Sequence, residues 1–249
     1  MKRNVVTTLI VTGAFLVCTC GAAMALHFDS SSSNIYYAGS PSGATLSATA
    51  DFNIINNQLQ IILTNTGAAA TQNIDVLQAL FFTVAGPAPF VTQGTSSATA
   101  STLVNAPNGT LVATNANVSN YWTYANGLNV YNQFNAGVSA CGLGVFGPGN
   151  LIKTAGAPNG QPDGADYGIV NGLAAGNSIN TNKNPYIDDT VTILLSLPER
   201  FDINNISGVG FQYGTALGNN QPVPEPGTIV LLGAGFLGLA VYGRKRIKK

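Results

Sequence analysis

The chain has 249 residues, enough for one sizeable domain with additional segments. Only 8% of residues are charged, far below the roughly 25% of an ordinary soluble domain. Between Leu26 and Gln221 three basic residues (Lys153, Lys183, Arg200) face nine acidic ones, a net of −6, so this region has no electrostatic grip on phosphates and nucleic acid is excluded as a partner.

The chain opens as a signal peptide, residues 1–25. Lys2 and Arg3 form a positive start, and Val5 to Val17 is an apolar run too short to span a bilayer. Ala23 and Ala25 place small residues where a signal peptidase reads, which predicts cleavage before Leu26 after export through the Sec machinery. A lipoprotein signal is the rival, because Cys18 and Cys20 follow the apolar run. Val17 and Thr19 precede them, however, where a lipobox takes Gly or Ala. Cleavage before Leu26 leaves Cys141 as the lone cysteine, either buried or paired between chains; its apolar surroundings favour burial.

Residues 26–221 read as an exported all-β domain, an antiparallel β-sandwich or jelly roll. In "LSATADFNII" Leu46, Ala48, Ala50, Phe52 and Ile54 alternate with polar residues, the period of a half-buried strand. Asn56–Asn57 reads as a hairpin turn, since asparagine tolerates positive φ. "LQIIL" follows, with Leu59, Ile61 and Leu63 on one face, and "NTG" at Asn65–Gly67 ends it. "DVLQALFFTV" alternates through Leu80, Phe82 and Val84. "TVTILLSL" aligns Val191, Ile193, Leu195 and Leu197, and "GVGFQYG" aligns Val209, Phe211 and Tyr213. Helix signals are nearly absent, and Gly, Asn, Thr and Ser are abundant. Ala85 to Thr110 reads as loops between short edge strands, and Gly147 to Gly168 as loop.

Catalytic chemistry is sparse. The single histidine, His27, stands at the expected new N-terminus, where a triad would have to use a frayed end. Zinc sites built on His and Cys fail by count, and phosphate-loop and dinucleotide fingerprints are missing. The expectation is a protein without catalytic residues, cofactor or metal. Asp163, Asp166, Asp188 and Asp189 could supply oxygen ligands to calcium, but aspartate as a turn residue is the favoured reading. Tyr121, Trp122 and Tyr124, with Tyr131 and Phe134, gather around the only tryptophan. They fill the core, or the first three stack on sugar rings as a glycan contact; core is favoured. A glycosidase using carboxylates alone is the third reading.

The tail, residues 222–249, ends "VPEPGTIVLLGAGFLGLAVYGRKRIKK". Thr228 to Gly243 carries no charge over 16 residues; as a transmembrane helix it spans about 24 Å, and Arg244, Lys245 and Arg246 can snorkel to close the gap to a ~30 Å core. The basic end stays cytoplasmic by the positive-inside rule. Pro224-Glu225-Pro226, the apolar run and "GRKR", in that order, resemble the PEP-CTERM sorting signal of Gram-negative bacteria. The resemblance implies a membrane-embedded exosortase as partner, which reads Pro224, Glu225 and Pro226 and cuts near them. It also implies contact with membrane lipid through the helix and an association with exopolysaccharide and biofilm matrix. The precursor would be anchored in the inner membrane with a periplasmic domain, and then reach the cell surface or medium. The stretches "LTNTG", "DVLQALFF" and "GFQYGTAL" are similar to exported domains often joined to such tails. A GPI signal, which normally ends on its hydrophobic stretch, and a plain single-pass anchor are the rivals.

Overall fold

The computed structural model describes residues 25–30, 34–37, 42–86, 97–106, 108–140, 165–179, 185–197 and 201–215. The signal segment before Ala25, Cys141, Asp163 and the whole tail lie outside them. The described residues are mostly strand, with two short 3₁₀ turns and no longer helix. No helix among them is long and apolar enough to cross a membrane.

The strands are β1 (Ala25–Asp29), β2 (Asn34–Tyr37), β3 (Ala48–Ile55), β4 (Gln58–Asn65), β5 (Leu77–Val84) and β6 (Ser97–Asn105). They continue with β7 (Thr110–Asn117), β8 (Thr123–Val130), β9 (Phe134–Ser139), β10 (Ile169–Val170), β11 (Tyr186–Ser196) and β12 (Ile206–Tyr213).

The β3–β4 hairpin forms where the alternation predicts. Asn56 and Asn57 hold φ of 50° and 60°, the pair of left-handed residues that a two-residue type I′ turn needs. Ile55 consequently pairs with Gln58, and Phe52 with Ile61. β4 then alternates buried and half-buried residues, with Leu59, Ile61 and Leu63 inward. Val191, Ile193 and Leu195 of β11 face the same core, as their spacing predicts.

All twelve strands join one hydrogen-bonded sheet, in the order β1-β3-β4-β11-β10-β5-β12-β2. β6 and β7 attach to β11, and β9 and β8 attach to β5. The link is the two-residue β10, which runs parallel to β11 at Ile169–Ile187 and Val170–Asp188, and antiparallel to β5 at Ile169–Leu77. β10 takes over the flank of β11 where β4 ends. The ladder therefore passes without a break from one wing, β1-β3-β4-β11-β6-β7, to the other, β8-β9-β5-β12-β2. The wings share a core: the rings of Phe52 (β3) and Phe82 (β5) meet edge to face, 5.4 Å apart. The Tyr213 hydroxyl (β12) donates to the Ser47 carbonyl at 2.8 Å.

Three sequence expectations are corrected. The pairing is not purely antiparallel: β10 with β11 and β2 with β12 are parallel. Ala85 to Thr110 is more than loops between short edge strands. Its second half is β6, a nine-residue strand held between β11 and β7. Its inward residues include Ala98 and Ala100, too small to raise the apolar signal that periodicity depends on. β5 is not half-buried, because Gln78, Ala79 and Phe81 are as hidden as Leu80 and Phe82. Its second face, which carries Ala79 and Phe81, is covered by Tyr36 and Phe134 with Ala125 and Val130. A strand buried on both sides shows no alternation to read.

Buried polar groups are held by many donors. Asp75 closes a 3₁₀ turn, Asn73–Asp75, and is 2% exposed. Its carboxylate accepts from the Thr71 amide (2.8 Å), the Thr71 hydroxyl (2.7 Å), the Gln72 amide (3.0 Å) and the Ser42 hydroxyl. That density of donors is what a desolvated carboxylate requires.

Candidate functional site

The residues singled out in the sequence fall into four places. At the N-terminal end, β1 begins at Ala25, the last residue of the expected signal, and pairs with β3 from Ala25–Asn53 to Asp29–Thr49. Ala23 lies outside the described residues. His27 is not on a frayed end, which corrects that expectation. The Ser30 amide donates to the Ala48 carbonyl. By the alternation of an antiparallel ladder, His27 and Asp51 form a non-hydrogen-bonded pair, in which side chains approach most closely. The imidazole Nδ1 indeed lies 2.5 Å from Asp51 Oδ1. The pair is largely exposed, and an exposed pair of this kind adds at most about 1 kcal/mol.

The aromatic cluster is the second place. Tyr121, Trp122 and Tyr124 are 9%, 3% and 3% exposed, so their faces are turned into the core. The Trp122 indole Nε1 donates to the Tyr167 carbonyl at 3.1 Å. The Tyr121 ring lies flat on the Tyr167 ring, with centroids 3.5 Å apart and planes 6° apart. Tyr131 and Asn132, with φ of 53° and 55°, make the β8–β9 turn, and Tyr131 stacks on Tyr36 at 4.1 Å. These three residues therefore form no exposed platform for a sugar ring. Tyr167, which the sequence did not mark, is the residue that ties the cluster to the loop before β10. Its only sequence signal was its place in the "DGADYG" loop.

Burial raises the phenol pKa of Tyr124, Tyr167, Tyr186 and Tyr213 well above the ordinary value of 10.0, and takes Tyr131 to about 12 with a further push from Tyr36. A phenol harder to ionise in the folded than in the unfolded chain supports the fold fully below the unfolded value. That support is lost as pH climbs from about 10 towards the folded values. Stability should hold flat from neutral pH to about 9 and fall steeply above 10. Phenolate absorbance and far-UV circular dichroism should change together. Full ionisation of the tyrosines near pH 10 with the β signal intact would contradict the burial seen here.

The acidic residues make the third place. Asp166 is buried, while Asp188 accepts from the Gly172 amide at 2.8 Å. Asp189 holds φ of 81° at a bulge in β11. Ser101 of β6 plugs that bulge: its hydroxyl lies 2.7 Å from the Asp188 carbonyl and 2.9 Å from that of Thr190, and accepts from the Thr190 amide. Among the described residues no group of three or more His, Cys, Asp or Glu side chains comes together to hold a metal.

The fourth place is the exit towards the tail. β12 ends at Tyr213, and Gly214, at φ of 73°, turns the chain while its amide donates to the Val76 carbonyl at 2.9 Å. From Thr215 to Pro224 the chain can reach at most roughly 30 Å when extended. Pro224, Glu225, Pro226, Arg244, Lys245 and Arg246 lie outside the described residues.

Residues 222–246 match the family model of the PEP-CTERM protein-sorting motif. The match spans the Pro-Glu-Pro, the apolar run and the first basic residues of the tail. No curated protein and no solved structure matches the chain.

Proposed function

We propose, with the sorting motif at 222–246 as premise, that the chain is an exported precursor cut by an exosortase. The β domain it delivers is a non-catalytic component of the cell surface or extracellular matrix. The observation that carries this reading is the match of the tail to the PEP-CTERM motif, downstream of a β domain in a chain that opens on an export-type segment.

The physical design of the tail fits a temporary anchor. Pro224 and Pro226 lack amide hydrogens, so the segment cannot extend a strand ladder or start the following helix early. Glu225 is thereby presented in an extended stretch at the membrane surface. The uncharged run Thr228 to Gly243 stops in the bilayer, and Arg244, Lys245 and Arg246 hold its end on the cytoplasmic side. Gly233, Gly235 and Gly238 weaken the helix relative to alanine, which eases unwinding at a cutting site. Signal peptidase removes residues 1–25, and β1 docks on β3 once the new N-terminus is free. The mildly acidic β domain then leaves as a surface protein that associates with neutral or basic matrix polymer, exopolysaccharide included.

Intact mass measurement of the protein released by its native host tests this. The expected species begins at Leu26 and ends near Pro224-Glu225-Pro226. A released species extending to Lys249 would overturn the reading.

A further inference from the structure

Tyr167 combines two local arrangements that each cost free energy. Its φ is 57°, a left-handed conformation rare for a bulky side chain. Its ring also lies face to face with that of Tyr121, centroids 3.5 Å apart and planes 6° apart, whereas aromatic pairs prefer offset or edge-on packing. Tyr131 is left-handed too, in the three-residue connection between β8 and β9, whose turn is closed by the Gln133 amide on the Val130 carbonyl. Tyr167 likewise stands in a turn, closed by the Gly168 amide on the Ala165 carbonyl at 3.1 Å, where glycine or asparagine would serve at less cost.

The surroundings hold Tyr167 in place from several sides. Its amide donates to the Pro185 carbonyl at 2.9 Å, and its carbonyl accepts from the Trp122 indole at 3.1 Å. The Tyr121 and Tyr167 rings are in direct contact over their faces. Parallel rings at this separation bring the ring carbons of the two phenols within a short movement of one another. Tyr121 retains a sliver of exposure, at 9%. Between Leu26 and Gln221 the chain has one cysteine, Cys141, so this region cannot be stapled by an internal disulfide.

We propose that Tyr121 and Tyr167 form an oxidative cross-linking site, joined as dityrosine when the exported protein meets a peroxide-dependent one-electron oxidant. Each phenol gives up one electron and its hydroxyl proton. The two radicals couple through one Cε carbon of each ring, ortho to its hydroxyl. Each ring then returns the hydrogen from its coupled carbon to its oxygen. One C–C bond forms, two C–H bonds are lost, and hydrogen peroxide takes two electrons and two protons to become two waters. The product closes the loop from 121 to 167 covalently, the role a disulfide plays in other exported domains.

The test uses the full-length chain purified in detergent and treated with hydrogen peroxide and a haem peroxidase. The monomer should lose two hydrogens in intact mass and gain dityrosine fluorescence. Its digest should hold one peptide pair joined at Tyr121 and Tyr167. Its melting temperature should rise. Tyr121→Phe and Tyr167→Phe should each abolish the intrachain product, and Tyr37→Phe should leave it unchanged. Dityrosine that persists in the monomer of Tyr121→Phe, or cross-links found only between chains, would overturn the proposal. If a variant fails to fold, the peptide map of the unaltered chain decides alone, by the presence or absence of the 121–167 pair. The sorting reading is unaffected by either result, since it concerns only the processed termini.

Discussion

Replacing Pro224, Glu225 and Pro226 together by alanine traps the full-length chain in the inner membrane and stops its release. Export itself should continue, because the expected signal at 1–25 is untouched. The effect is large because three changes act at once. The prolines would no longer bar the segment from helix, so the helix proposed for the apolar run 228–243 would extend upstream through alanines. The carboxylate that the sorting enzyme would meet at the membrane surface disappears. In the proposed anchor the basic cluster at Arg244 to Arg246 would still stop transfer, so the protein would stay inserted in its original orientation. Fractionation in a host with a working exosortase would show the variant in the membrane at precursor mass. Release at the level of the unaltered protein would show that the motif is not what the enzyme reads.

Gly168→Ala should destabilise the β domain strongly. A Cβ at 168 would overlap the Gln78 side-chain nitrogen and stand 2.5 Å from Val76 Cγ1 and 2.8 Å from Gln78 Cδ. Gln78 is fully buried, and its amide nitrogen donates to the Ala165 carbonyl at 2.7 Å. It cannot step aside without giving up that bond. Overpacking costs about 1–3 kcal/mol and a broken buried hydrogen bond about 1–3 more. The sum, roughly 2–6 kcal/mol, lowers the melting temperature by about 4–24 °C in a domain of this size. The site lies just before β10, so the damage reaches the link between the two wings. Gly176→Ala is the control. Nothing lies within 4 Å of its added methyl, and only its left-handed φ of 71° opposes it, at about 1–2 kcal/mol. Equal melting temperatures for the two variants would mean that the close packing around Gly168 is absent in solution.

Legibility in the sequence followed how local each feature is. The β3–β4 hairpin could be read because Asn56 and Asn57 lie between two runs whose apolar residues face one core. β12 could be read through Val209, Phe211 and Tyr213, all buried. β5 was placed but misjudged, since a strand covered on both faces carries no contrast between its sides. β6 was passed over because Ala98 and Ala100 fill their inward positions with little apolar bulk. The aromatic residues from Tyr121 to Phe134 left two readings open. Their burial was decided by where β8 and β9 fold, which no local pattern records.

By itself the sequence determined the strand-rich middle, the acidic balance and the sorting tail. These depend on composition, on period-2 alternation and on a contiguous motif, all properties of neighbouring residues. Only the tertiary structure decided that β10 carries one ladder through both wings, that His27 is paired with Asp51, and that Tyr167 lies flat on Tyr121. Each of these joins residues far apart in the chain. Their pairing is set by which distant surfaces exclude water together, and a stretch of residues read alone does not contain its partner.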